Sequence, residues 1–214
     1  MTGSRHGTGA TASRPLGLFG GRFDPVHRAH IAIAQAVADE LNLEEVRWIV
    51  TGAPTHKSAI ASADDRLTMT KLALHELGDP RMVVDDREII AAENGGSNYT
   101  ADTVLTLQKE YPGRKLIWIL GEDQLQHFFS WSRWQWLIHQ VDLAVCARPD
   151  AKGSPVAKLL AESGGKVHWV HHEPDAVSST EIRTAIQAGV LKADLTSVKV
   201  SDYIAAKSLY QLSE

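Results

Sequence analysis

Six short apolar runs separated by stretches of helical spacing constrain this chain more than any other feature. They are Leu16–Phe19, Val46–Val50, Arg81–Val84, Lys115–Leu120, Val141–Ala147 and Lys166–Val170. Each has the length and the β-branched or aromatic content of a strand. Between them, Ile31, Ala34, Val37, Ala38 and Leu41 fall on one helical face, and Leu67, Thr70, Leu74 and Leu77 on another. The second stripe is entered through Ser62–Asp65, a capping-box pattern. A further helix is expected to carry Ala101, Val104, Leu105 and Gln108 inward, with Thr100 as its N-cap. Strands alternating with helices give βαβ units, right-handed crossovers and a parallel sheet. The expected fold is therefore α/β, a doubly wound parallel sheet with helices on both faces, in one domain spanning residues 16–214. Residues 1–15 are rich in Gly, Ser, Thr and Ala without periodicity and are expected to form a flexible N-terminal tail. Residues 91–97 and 150–154 read as loops, and no internal repeat is present.

Composition narrows the function classes. A chain of 214 residues with 43% hydrophobic content has enough material for a full core. A formal net charge of -4 disfavours a protein that holds nucleic acid or lipid by bulk electrostatics, and leaves small anionic substrates open. The single cysteine, Cys146, forms no internal disulfide and no cysteine zinc site; its place in the run Val141–Ala147 marks it as a core thiol. No stretch reaches the roughly 18 apolar residues of a membrane span, and the N-terminus lacks the apolar segment of a signal peptide. A cytoplasmic enzyme is the expectation. The sequence leaves monomer and homodimer both open.

The richest segment is Gly20-Gly21-Arg22-Phe23-Asp24-Pro25-Val26-His27-Arg28-Ala29-His30, between the first strand and the first helix. Ligands in doubly wound folds gather at the carboxyl ends of strands. Glycines there let backbone N–H groups approach phosphate. His27 and His30, three apart at a helix start, lie on one side and can both donate to phosphate oxygens. They could also ligate a metal, but no third or fourth ligand is evident nearby. A second segment, Ser178-Ser179-Thr180-Glu181-Ile182-Arg183, opens a helix running toward Gly189. Ser178 with Glu181 fits a capping box, the helix terminus favours an anion, and Arg183 adds charge one turn in.

The first segment resembles the Gly-Gly-(Ser/Thr)-Phe-Asp-Pro-x-His-x-Gly-His signature of the nucleotidylyltransferase superfamily, whose fold is Rossmann-like. Within it the chain is similar to the bacterial nicotinate-mononucleotide adenylyltransferases, from Leu16 to the C-terminus. It departs at Arg22, where Thr or Ser is usual, and at Ala29, where Gly is usual. Arg22 either adds a cation beside the triphosphate or points to solvent, and the second reading is preferred. Ser178–Arg183, preceded by Val177, resembles the family's Ile-Ser-Ser-Thr-x-Ile-Arg motif. The resemblance implies that ATP is bound by Gly20, Gly21, Phe23, His27, His30, Arg148, Ser178, Ser179, Thr180 and Arg183, with His27, His30 and Arg183 catalytic. Asn98-Tyr99-Thr100 resembles Ser-Tyr-Thr, whose backbone meets the nicotinate carboxylate. Asp123 falls in a Gly-x-Asp-x-Leu segment at the nucleotide pocket, and Trp131 matches a tryptophan that stacks on the pyridine ring. His56 and Lys57 lie in a segment that resembles Pro-Pro-His-(Arg/Lys), within reach of the mononucleotide. Trp134 and Trp136 read as ordinary core or surface aromatics.

The reaction so implied transfers AMP from ATP to nicotinate mononucleotide, giving deamido-NAD and pyrophosphate. Mg²⁺ would bind mainly through the ATP phosphates, with no protein metal site, and Asp24 would organise the turn. The alternatives are a related adenylyltransferase acting on nicotinamide mononucleotide or phosphopantetheine, and a nucleotide-binding protein without catalysis.

Overall fold

The computed structural model describes residues 13–53, 60–96, 98–147, 154–171, 177–190 and 195–211. The six apolar runs form six parallel strands: β1 (Leu16–Gly21), β2 (Glu45–Val50), β3 (Met82–Asp85), β4 (Leu116–Gly121), β5 (Asp142–Ala147) and β6 (Val167–His171). They lie side by side in the order β3-β2-β1-β4-β5-β6. The sheet therefore reverses its winding between β1 and β4, where Leu16 pairs with Leu116 and Phe19 with Ile119. The expected Rossmann-like, doubly wound fold is present.

Helices α1 (Arg28–Glu40), α2 (Ala63–Leu77), α3 (Arg87–Glu93), α4 (Thr100–Glu110), α5 (Glu122–Leu125), α6 (Trp134–Leu137), α7 (Pro155–Glu162), α8 (Ser179–Gln187) and α9 (Val198–Ala206) connect and flank the strands. Strand residues alternate between two cores. Phe19, Ile117, Ile119, Ala144 and Cys146 pack with Ala34 and Val37 of α1, Met69 of α2 and Ile204 of α9. Leu18, Trp118, Leu120, Leu143 and Val145 pack with Val104 of α4, Leu137 of α6 and Leu160 of α7. This period-two alternation is what helices on both faces require. Burial pushes the Cys146 thiol up to about 12, as for a core thiol.

Local sequence explains the helix ends. Ser62 caps α2 by accepting from the Asp65 N–H at 3.1 Å. Ser178 and Glu181 close a full capping box on α8, and Gly189 at φ +72 follows its end. Three expectations need correction. The N-cap of α4 is Tyr99, whose carbonyl accepts from the Asp102 and Thr103 N–H groups; Thr100 is already helical. The buried face of α4 carries Ala101, Thr103, Val104 and Leu107, which turns Leu105 outward to 38% exposure. Residues 91–93 are not loop but the end of α3, a helix too short for its period to register. The expected tail lies outside the described residues except at its end. There the Arg14 carbonyl accepts from Arg114 Nε and the Pro15 carbonyl from the Glu44 N–H.

Candidate active site

β1 and β4 both end in glycine at the point where the winding reverses, the usual ligand position in open α/β sheets. A Cβ on Gly20 would lie 2.7 Å from the Trp118 ring, and one on Gly21 would lie 2.9 Å from the Phe23 ring. Side chains are sterically excluded there, so backbone forms the wall. Phe23 is buried at φ +49, edge-on to Phe19 at 5.5 Å and to His30 at 5.2 Å.

Two adjoining cavities open at these strand ends. One of about 120 Å³ is bordered by Gly20, Gly21, Arg22, Phe23, Asp24, His30 and Ser179. The other, about 770 Å³, is bordered by Thr51, Glu88, Asn98, Tyr99, Thr100, Trp118, Asp123, His127 and Trp131. Gly20, Gly21, Arg22 and Gln124 border both, so the two form one cleft. The larger part falls within the roughly 300–1,000 Å³ typical of small-molecule sites.

His27 is the N-cap of α1 and His30 its third residue. The His27 backbone N–H donates to His30 Nδ1 at 3.2 Å. The rings lie 3.7 Å apart at 31°. Burial, and next the proximity of His27, hold the His30 pKa well below its ordinary 6.5. His30 is therefore neutral near pH 7. With Nδ1 accepting, its proton sits on Nε2. His30 borders the smaller cavity, whereas His27 is buried and does not line it.

Asp24 is 2% exposed and ties the turn together. Its carboxylate accepts from the Ile60 N–H at 2.8 Å, the Ala61 N–H at 3.2 Å and the Tyr210 hydroxyl at 2.8 Å. Arg183 donates to the Asp24 carbonyl at 2.7 Å and to Thr180 Oγ1 at 3.2 Å. Ser179 Oγ donates to the Pro25 carbonyl at 3.0 Å. Of the α8 start, Ser179 alone among the described residues reaches the cavity wall; the Ser178 hydroxyl is spent on Glu181.

Arg66 of α2, 1% exposed, donates to the Arg22 carbonyl at 2.9 Å and to the Gly52 carbonyl at 3.1 Å. It clamps the segments leaving β1 and β2. Sequence reading missed it, although a signal was present: Arg66 lies on the same face as Met69, Thr70 and Ala73, a cation on a buried stripe. Glu88 was missed too. This residue of α3 is 5% exposed, lines the larger cavity and accepts from Thr103 Oγ1 at 2.8 Å. Burial raises its pKa to about 7.

Gly20, Gly21, Phe23, His30 and Ser179 thus come together at the smaller cavity, and Tyr99, Thr100, Asp123 and Trp131 at the larger. Trp131 packs on Phe128 at 5.0 Å and edge-on to Trp118 at 6.1 Å. Among the described residues, no side chain makes a capping hydrogen bond at the N-terminal end of α4. Arg22 borders both cavities, and Arg66 holds its backbone carbonyl. His56, Lys57 and Arg148 lie outside the described residues.

The family model for cytidylyltransferase-like proteins matches residues 18–185, a span that holds both the Gly20–His30 turn and the α8 start. A probable nicotinate-nucleotide adenylyltransferase of Bordetella pertussis is 40% identical over 200 residues, covering 92% of this chain and 98% of its own. One from Neisseria meningitidis serogroup B is 38% identical over 205 residues, covering 92% and 99%. The chain belongs to the nicotinate-nucleotide adenylyltransferase family. The fold of this adenylyltransferase is shared with a Plasmodium falciparum nicotinic acid mononucleotide adenylyltransferase solved with NaAD, at TM-score 0.75 and 18% identity, over 92% of this chain and 97% of that one. Among the described residues, no helix of the adenylyltransferase is long and apolar enough to cross a membrane.

Proposed function

We propose that the cleft joins ATP to nicotinate mononucleotide, with the smaller cavity taking the triphosphate and the larger the acceptor. The single observation that carries this is the continuity of the two cavities across Gly20–Arg22, which would let two phosphates meet. A 5′-phosphate oxygen of the mononucleotide attacks the α-phosphorus of ATP. The new P–O bond forms as the bond to the β-phosphate oxygen breaks, and pyrophosphate leaves with that oxygen. The attacking oxygen is already anionic, so no general base is required. The chain acts by alignment and by donors aimed at developing charge.

His30 offers Nε2–H, the glycine turn offers backbone N–H groups, α8 offers its positive terminus beside Ser179, and Arg22 offers a cation where the phosphates meet. In this proposal Arg183 braces the Asp24 turn and the α8 start, and so keeps the triphosphate wall in shape. Nucleotidyltransferases typically use a divalent metal, and here Mg²⁺ fits on the nucleotide phosphates. The carboxylate bordering the smaller cavity, Asp24, is already engaged by two backbone N–H groups and a tyrosine hydroxyl. The cation would neutralise phosphate charge, a hard-ion role met by phosphate and water oxygens. The start of α4 at Tyr99–Thr100 suits the acceptor's carboxylate, and the Trp131 face suits its ring.

ATP labelled at the α-phosphorus tests the direction of transfer. The label is expected in a dinucleotide product, and label at the γ-phosphorus in pyrophosphate. Label transfer from the γ position to the mononucleotide would overturn the proposal.

A further inference from the structure

The larger cavity holds a buried carboxyl where a cavity for an anion would ordinarily carry none. Glu88 is fixed from two sides. Thr103 Oγ1 on the first turn of α4 donates to its Oε1 at 2.8 Å, and Thr51, after β2, also bonds its side chain. A Cβ on Gly52 would lie 2.4 Å from the Glu88 carbonyl, so α3 is packed directly on the end of β2. Glu88 thus borders the same cavity as the Tyr99–Thr100 helix start.

We propose that Glu88 reads the charge of the acceptor's ring substituent: neutral, it admits a carboxylate and can donate to it, while ionised it repels a carboxylate and accepts from an amide. This rests on the acceptor being a pyridine mononucleotide seated in the larger cavity. A protonated carboxyl is a donor with remaining acceptor capacity, and an ionised one only accepts. In a dry wall, two carboxylates cannot both ionise at low cost.

The charges around Glu88 are largely balanced. Asp85 of β3 pairs with Arg87 of α3 at 2.8 Å and with Arg47 of β2 at 3.3 Å, and Arg87 reaches Glu110 of α4 at 3.0 Å. Arg22, Asp123 and His127 border the same cavity. Desolvation outweighs these and places the midpoint near 7, within a range where kinetics can follow it.

The test is kcat/KM for nicotinate mononucleotide divided by kcat/KM for nicotinamide mononucleotide, measured from pH 6.5 to 8.5. The ratio cancels the titration of the phosphate that both acceptors carry. It is expected to fall by at least about tenfold across that range, since the neutral fraction of a single group falls about tenfold per unit above its midpoint. In Glu88→Gln it is expected to be flat. Thr103→Val, which removes a bond favouring the ionised form, is expected to move the midpoint upward. A merely structural Glu88 would alter both acceptors alike and leave the ratio independent of pH. A flat ratio in the unmodified protein, with clear turnover of the acid, overturns the role of Glu88 and leaves the proposed reaction standing. A slope that survives in Glu88→Gln also overturns it. No turnover of either acceptor overturns the reaction, and this inference with it.

Discussion

The backbone N–H of His27 donates to Nδ1 of His30, and that one bond sets which nitrogen of His30 is left to donate. The proton of the neutral ring is on Nε2. We expect His30→Gln, whose amide reproduces a donor at that distance, to keep more activity than His30→Asn. His30→Ala should lose about 10²-fold or more in kcat/KM, the usual cost of one transition-state donor. Steady-state kinetics on folded variants decide this. Equal losses in Gln and Asn would contradict the assigned tautomer.

The same burial makes His30 a pH-dependent element of stability. Its folded pKa is lowered, so between that value and the ordinary 6.5 the unfolded chain binds more protons. The stability linked to this group is complete above about 6.5 and is lost as pH falls toward the folded value. Chemical unfolding of the unmodified protein and of His30→Gln from pH 7.5 to 5 measures it. The advantage of the unmodified protein should shrink, or turn to a deficit, as pH falls. A difference constant with pH would contradict burial as the main cause.

Arg22 stands where the family signature that this turn resembles has Thr or Ser, and it borders both cavities. Arg22→Thr is expected to lower kcat/KM by about tenfold or more, as loss of a charge-assisted contact to phosphate would. Addition of salt should affect the unmodified protein more than the variant. Unchanged kinetics would return Arg22 to the solvent role that sequence alone suggests.

Much of this was legible before any coordinates. The six apolar runs became the six strands, because a strand buried on both faces reads as a continuous apolar run. Gly20 and Gly21 were legible because the turn has no room for a Cβ. Ser178 with Glu181 was legible because a capping box is a purely local pattern. What failed depended on tertiary contacts. Leu105 and Leu107 are equally good candidates for burial by type. The direction of α4 is set by Thr103 reaching Glu88 and by Val104 meeting the sheet core, roughly 100° of turn per residue deciding the rest. Arg66 and Glu88 serve partners 14 to 44 residues away in sequence, which no local pattern reports.

Trp131 is held against Phe128 and Trp118, with its remaining surface on the larger cavity. Trp131→Ala is expected to raise KM for the mononucleotide by about tenfold, from loss of roughly 1–1.5 kcal/mol of ring stacking, and to leave KM for ATP within about twofold. A variant that weakens ATP in equal measure would place the ring elsewhere.

The most direct measurement is pyrophosphate release from ATP and Mg²⁺ with nicotinate mononucleotide, compared with nicotinamide mononucleotide, at pH 7. Rapid release with the acid and slower release with the amide is the predicted result, since the start of α4 favours an anion. Preference for the amide would contradict the assignment of Tyr99–Thr100, and silence with both acceptors would contradict the reaction itself.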